Sequence, residues 1–215
     1  MSRASLCRNT TFHHLDTGAL TMITPATTLA TEADFDRSIS SLVAAFIADP
    51  FIRWMLPDAK QYLHTFPQVL KYFAGGAFAH GSAWRSADYR ASAMWLPPGI
   101  EPDNEALGRV MEQGVDSELI SEVFEVMQQV DASHPQEDHW YLPAIGVEPM
   151  LQGKGYGSAL LVSGLKRCDD EHVAAYLEAT NPANIPLYER FGFRVIGAIQ
   201  AGSSPTITPM FRPAR

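Results

Sequence analysis

The hexapeptide Gln152-Gly-Lys-Gly-Tyr-Gly157 lies between an apolar run at His139–Val147 and an amphipathic stretch at 155–172. The apolar run reads as a strand. Leu161, Leu165 and Cys168 share one stripe of the stretch that follows, which reads as a helix. Strand, glycine turn and helix in that order gather free backbone N–H groups at the positive end of a helix dipole, which makes an anion site. Glycine is needed wherever a side chain would hold the anion off the backbone. Hydrogen bonds to a charged group contribute roughly 1.5–3 kcal/mol each, so three or four anchor a pyrophosphate. Two other phosphate loops do not fit. The chain contains no Gly-Lys-Ser/Thr, which a P-loop needs. Gly153-x-Gly155-x-x-Ser158 misses the last position of the dinucleotide fingerprint, and residues 148–151 separate it from the strand. A glycine turn without a ligand is the structural alternative, and the entropy lost at alternating glycines argues against it.

The rest of the chain alternates similarly. Residues 23–30 suit a first strand, and Thr31 with Asp34 resembles a capping box before a helix reaching about Asp49. Residues 59–80 read as helix, 82–85 and 90–96 as two strands, and Pro97-Pro98-Gly99 stops the second. A helical insertion follows at about 103–131, broken near Gly114. After the glycine loop and its helix come a short strand at Ala174–Ala179 and a short helix at 185–191. Asn184 is a candidate N-cap for that helix and Gly192 follows its end. Residues 193–199 and 206–211 close the chain as strands. Residues 1–21 read as a poorly ordered extension, and 22–215 as one α/β domain with a mixed sheet.

The net charge is −8, from 24 acidic and 16 basic residues, which argues against nucleic acid as partner and suits a cationic amine. Cys7 and Cys168 fit no metal-ligand spacing, so no metal is expected, and a reducing cytoplasm is the default compartment. The longest apolar stretch is cut by Asp49 and Pro50, so no membrane span is expected; a homodimer stays open.

Gln152-x-x-Gly155-x-Gly157 at the head of a helix resembles motif A of the GNAT superfamily of N-acetyltransferases. Asn181-Pro-Ala-Asn-Ile-Pro-Leu-Tyr188-Glu-Arg-Phe-Gly-Phe193 resembles the C-terminal signature of the same superfamily. Within it, Ile145-Gly-Val-x-Pro and Leu177-Glu178-Ala-Thr are similar to the puromycin N-acetyltransferases. The resemblance implies a mostly antiparallel central sheet with flanking helices, in which two parallel strands splay apart to admit acetyl-CoA. The pantetheine arm is then expected along Ile145, Gly146 and Val147. Gln152, Gly153, Lys154, Gly155, Tyr156, Gly157 and Ser158 would surround the pyrophosphate, and Asn181 and Asn184 match cofactor contacts. Lys154 could meet the phosphates, but a lone lysine in a loop is more often solvated. Tyr188 matches the general acid that protonates the departing CoA thiolate.

The base is less defined. Many relatives carry a glutamate on the strand before the loop, and His139–Val147 has none. Glu178 and His139 are the candidates, one at the end of the neighbouring strand and one relaying through water. Only a neutral amine attacks a thioester. At pH 7 deprotonating a lysine-like amine costs roughly 4.6 kcal/mol and an α-amine about 1.4 kcal/mol. The expected function is acetyl transfer from acetyl-CoA directly to a primary amine of a small molecule in a ternary complex. An acyl-CoA sensor without turnover and a protein N-acetyltransferase are the alternatives.

Overall fold

The computed structural model describes residues 25–215; the expected extension over 1–21 lies outside them. The chain opens with β1 (Thr27–Leu29), shorter than the expected strand, which pairs with β2 (Ala83–Ser86). The Asp34 carboxylate then accepts from the Thr31 N–H at 2.8 Å, the return arm of the capping box, and α1 (Phe35–Ala45) follows. This helix does not reach Asp49. Instead Asp49 begins α2 (Pro50–Met55): its Oδ1 accepts from the N–H groups of Phe51 and Ile52, both at 3.1 Å. With Pro50 in the first turn, Asp-Pro acts here as a helix start rather than a break.

The helices α3 (Ala59–Ala74) and α4 (Gly76–Ala79) fill the expected helical region before β2 and β3 (Ala91–Leu96). The insertion is two helices, α5 (Asn104–Gly114) and α6 (Ile120–Ser133), separated beyond Gly114. Then come β4 (His139–Val147), α7 (Tyr156–Glu171), β5 (Ala174–Ala179), α8 (Ile185–Arg190), β6 (Arg194–Val195) and β7 (Thr208–Arg212). The expected strand at 193–199 shrinks to two residues. Pro209 opposite it accepts from the Ile196 N–H at 3.0 Å but has no N–H to return, so the ladder lapses.

The described strands form one seven-stranded sheet in the order β1-β2-β3-β4-β5-β7-β6, antiparallel except for β4 beside β5. The mixed, mostly antiparallel α/β fold is as expected. One face packs on α1 to α6 through Leu42, Phe66, Val126, Tyr141 and Tyr176. The other packs on α7 and α8 through Trp95, Trp140, Leu161, Leu177 and Tyr188.

The parallel pair is short. His139, Trp140 and Tyr141 lie opposite Ala174, Ala175 and Tyr176, and pairing then ceases. At the same point β4 slips against β3: Leu96 faces Tyr141, but Met94 faces Ala144, leaving one extra residue on β4. That bulge contains Pro143, which has no N–H for a ladder. Bulge and proline together let β4 bend away from β5 and open the sheet.

Candidate active site

Past the splay lies a cleft of about 540 Å³. It is lined by Ile145, Gly146 and Val147 of β4, by Gln152, Gly153, Gly155, Tyr156, Gly157 and Ser158 of the loop and helix start, and by Asn181, Asn184, Leu187 and Tyr188. Of the residues expected to touch a cofactor, only Lys154 falls outside this lining; it is exposed. Gly153 and Gly155 have φ of +73° and +87°, where a side chain is strained. This turn aims the start of α7 at the cleft. Gly155 is the N-cap of α7 and brings no capping side chain. The first-turn N–H groups of a helix have no partner within it. Among the described residues, those of Gly155, Tyr156, Gly157 and Ser158 donate to no other segment. A row of free donors at a helix N-terminus is what an anion requires.

Each remaining side chain has a definite task. Gly146 is a packing glycine: a Cβ there would meet the Ala45 Cβ at 2.6 Å, so α1 sits directly on β4. Gln152 folds back, its Nε2 donating to the Val147 carbonyl at 3.3 Å. The Tyr156 hydroxyl donates to Asp88 at 2.9 Å, which ties α7 to the β2–β3 turn. Asn181 caps the turn 182–184, accepting from the Ala183 N–H at 3.0 Å. Asn184 occupies the N-cap position of α8 but makes no capping bond, which corrects the expected cap; its neighbour Asn181 starts the turn instead. Tyr188 is buried, and burial with the Asp49 carboxylate nearby raises its phenol well above the ordinary value, so it stays protonated. Tyr188 belongs to the cleft wall.

On the opposite side of the opened sheet is a narrow apolar pocket with a cavity volume of about 70 Å³. Phe46, Phe51, Met55, Phe66, Phe73, Met111 and Met127 line it, with Pro143 and Ala144 from the bulge. From the helical insertion Met111 and Met127 reach it, while Phe124 is exposed. The polar groups in its wall are Glu178 and Thr180. Phe46 lines both pocket and cleft, and the Thr180 hydroxyl donates to Asp49 of the cleft at 2.7 Å. The two spaces therefore meet at the splay. Asp49 is itself buried, and desolvation raises its carboxyl above the usual range.

Glu178 is almost fully enclosed. Its Oε2 accepts from the Tyr141 hydroxyl at 2.8 Å, and its Oε1 has no hydrogen-bond partner. Burial pushes its carboxyl up to about 7 from an ordinary 4.5, against the opposing bond from Tyr141. His139 does not line the cleft. It sits at the start of β4, facing the surface hollow beside α6, with the Tyr176 ring 5.6 Å away. Cys168 is buried core, its thiol raised to about 12 by burial. No group of three or more metal-ligating side chains occurs among the described residues, and no helix there is long and apolar enough to cross a membrane.

Four residues escape a reading of the sequence: Asp49 and Thr180 of the two spaces, and Tyr141 and His134 beside Glu178. Asp49 carries a local signal, the Asp-Pro helix start. The others come together only through the sheet register and the end of α6.

The acetyltransferase (GNAT) family model matches residues 62–193, more than half of the chain. An uncharacterized N-acetyltransferase of Schizosaccharomyces pombe is 27% identical over 175 residues, spanning 74% of this chain and 70% of that protein. A mycothiol acetyltransferase of Paenarthrobacter aurescens is 30% identical over 125 residues, 54% of this chain but 36% of its own length. Among solved structures, one from Corynebacterium glutamicum described as histone acetyltransferase HPA2 and related acetyltransferase is 27% identical. It has a TM-score of 0.65 and covers 90% of this chain and 98% of that one. Arylalkylamine N-acetyltransferase 2 from Aedes aegypti shares the fold, with a TM-score of 0.62 at 12% identity, covering 88% of this chain and 99% of that one.

Proposed function

The chain belongs to the GNAT family of acetyltransferases, and we propose that it moves the acetyl group of acetyl-CoA directly onto a primary amine of a small molecule with an apolar body. One observation carries this reading: the splay of β4 from β5 joins an anion-suited cleft to an apolar pocket holding one enclosed carboxylate. In this reading the free donors at the start of α7 hold the pyrophosphate. The unpaired edge of β4 at Ile145 to Val147 receives the pantetheine amides as an added strand. Acetyl-CoA supplies a thioester whose acetyl carbon the neutral amine attacks.

Glu178 takes a proton from the amine as its nitrogen bonds to the acetyl carbon, and Tyr188 gives a proton to the sulfur as the carbon–sulfur bond breaks. The carboxyl of Glu178, raised to about 7 by burial, is closer to an amine's own affinity for protons than an ordinary glutamate, which suits a general base at neutral pH. The apolar walls favour an amine carried on an aryl or alkyl body over a polyhydroxylated one, since a polar body would lose its water without replacement. The insertion helices α5 and α6 cover this pocket through Met111 and Met127, which disfavours an extended peptide as acceptor.

The test is thiol release from acetyl-CoA with 2-phenylethylamine, tyramine, agmatine, spermidine, glucosamine and a lysine peptide, each product checked by mass spectrometry. Turnover of the arylalkyl amines above the rest is expected. Acetylation of the peptide alone overturns the acceptor assignment, and tight acetyl-CoA binding without any product supports the sensor reading instead.

A further inference from the structure

A proton accepted by Glu178 has to leave before the next turnover, and the pocket around its carboxylate offers aromatic and aliphatic walls. On the other side of Glu178 the structure is different. His134, just beyond α6, places its Nε2 3.6 Å from Glu178 Oε1, the carboxylate oxygen that has no hydrogen-bond partner. The Nδ1 of His134 lies 3.0 Å from Nε2 of His139, and Nδ1 of His139 lies 2.8 Å from the Glu137 carbonyl. His139 and His134 both face a surface hollow of about 440 Å³ that also has Glu101, Asp131, Glu137 and Asp138 in its wall. The line runs from the buried carboxylate to the exterior without entering the acceptor pocket.

The hydrogen-bond partners fix the tautomers. A carbonyl only accepts, so Nδ1 of His139 carries its proton and Nε2 is left as an acceptor. Nδ1 of His134 must then carry the proton shared between the rings, which leaves its Nε2 lone pair facing Glu178. Both rings thus point the same way, each with an acceptor nitrogen towards Glu178 and a donor nitrogen towards the surface.

We propose that His134 and His139 form a proton exit from Glu178, a positioning pair that resets the base through the side of the protein opposite the acetyl donor. This rests on Glu178 being the base. Oε1–H gives its proton to Nε2 of His134 while Nδ1–H of His134 passes to Nε2 of His139 and Nδ1–H of His139 goes to water; no electrons are exchanged. At each ring the Nε2 proton is then lost and an Nδ1 proton regained by exchange with water, which restores the starting tautomers and completes the cycle. Besides Glu101, Glu137 and Asp138 in the hollow, the groups facing the line are Asp131 of α6, Tyr141 of β4 and Tyr176 of β5, whose hydroxyl is 2.7 Å from Ser133; α3 sets the Phe73 ring against Tyr141. Burial and the neighbouring His139 lower His134 to about 4, so the imidazolium is a passing state and the pair conducts a proton without storing it.

The experiment has a part that needs no acceptor. In the full-length protein, ¹⁵N NMR of the imidazoles is expected to show Nδ1–H tautomers for both His134 and His139 at pH 7.5. The His134 signals should inflect near the pH where Glu178 titrates, and this inflection should vanish in Glu178→Gln. An Nε2–H tautomer at either ring, or an inflection that persists in Glu178→Gln, overturns the proposal. The kinetic part uses the amine of the six with the highest kcat/KM. His134→Gln and His139→Gln should each lower kcat about tenfold or more, the lower part of the range for proton-transfer steps, with KM for acetyl-CoA unchanged. The double variant should be no slower than the worse single one, as steps in series require, and imidazole buffer should restore rate in His139→Gln. Wild-type kcat and no response to imidazole in both variants would overturn the exit. His139 is only half-buried, so its variant serves if His134→Gln does not fold. Full activity in Glu178→Gln would instead show that the base is misassigned.

Discussion

Replacing Glu178 by glutamine should make the protein more stable above neutral pH while removing its activity. In the folded chain the carboxylate keeps one hydrogen bond, from Tyr141, and its other oxygen is enclosed with no partner. Its proton affinity is therefore raised from 4.5 to about 7. Between those values the folded state holds a proton that the unfolded state has released, so stability falls as pH rises through this window and is flat above it. At about 1.4 kcal/mol per pH unit, the interval comes to about 3 kcal/mol. Glutamine removes this term and keeps the shape. Its carbonyl can accept from Tyr141, and its amide can donate to the lone pair of His134 Nε2. The lowered affinity of His134 acts in the opposite direction at lower pH, but it is present in both proteins and drops out of their difference. Urea denaturation at intervals from pH 4.5 to 8.5 measures that difference. The expected curve starts near zero at the acid end and rises to about 3 kcal/mol in favour of Glu178→Gln by pH 8. A flat difference, or one that favours the wild type more strongly as pH rises, would refute the argument that burial holds a proton on Glu178.

Three further perturbations separate donor, acid and acceptor. Gly155→Val forces a β-branched residue to a φ of +87° at the head of α7 and should weaken acetyl-CoA at least about tenfold by calorimetry, with the circular dichroism spectrum nearly unchanged. Tyr188→Phe should lower kcat about 30- to 300-fold, since general acid catalysis is worth roughly 10²–10⁴-fold and a thiolate leaves tolerably unaided; acetyl-CoA affinity should change little. Met127→Ala enlarges the apolar pocket and should shift kcat/KM towards bulkier amines with the KM for acetyl-CoA constant; a change in melting temperature alone would mark Met127 as structural.

The cofactor half of the site was legible in the sequence because it is local. His139–Val147, the glycine loop and Ala174–Ala179 are short, strongly patterned segments, and the chain brings the loop to the helix start without help from distant residues. The acceptor half is assembled from α1, α2, α3, α5, α6 and the bulge, and no single window of sequence contains it. Pro143 was in plain view inside an apolar run, yet its effect depends on the extra residue that β4 carries against β3. Asp49-Pro50 read as an interruption because the apolar pattern stops there, whereas the carboxylate starts a new helix and reaches across to Thr180. Glu178 and His139 were each singled out as bases. What joins them is His134, placed by α6 continuing to Ser133.

The central claim is that acetyl-CoA lies in the opening between β4 and β5 with its pyrophosphate on the start of α7. Amide hydrogen exchange with and without saturating acetyl-CoA tests it directly. Protection is expected at residues 145–147 and 153–158, with the amides of α5 little changed. No protection there at saturation, or protection confined to α5 and α6, would contradict the account.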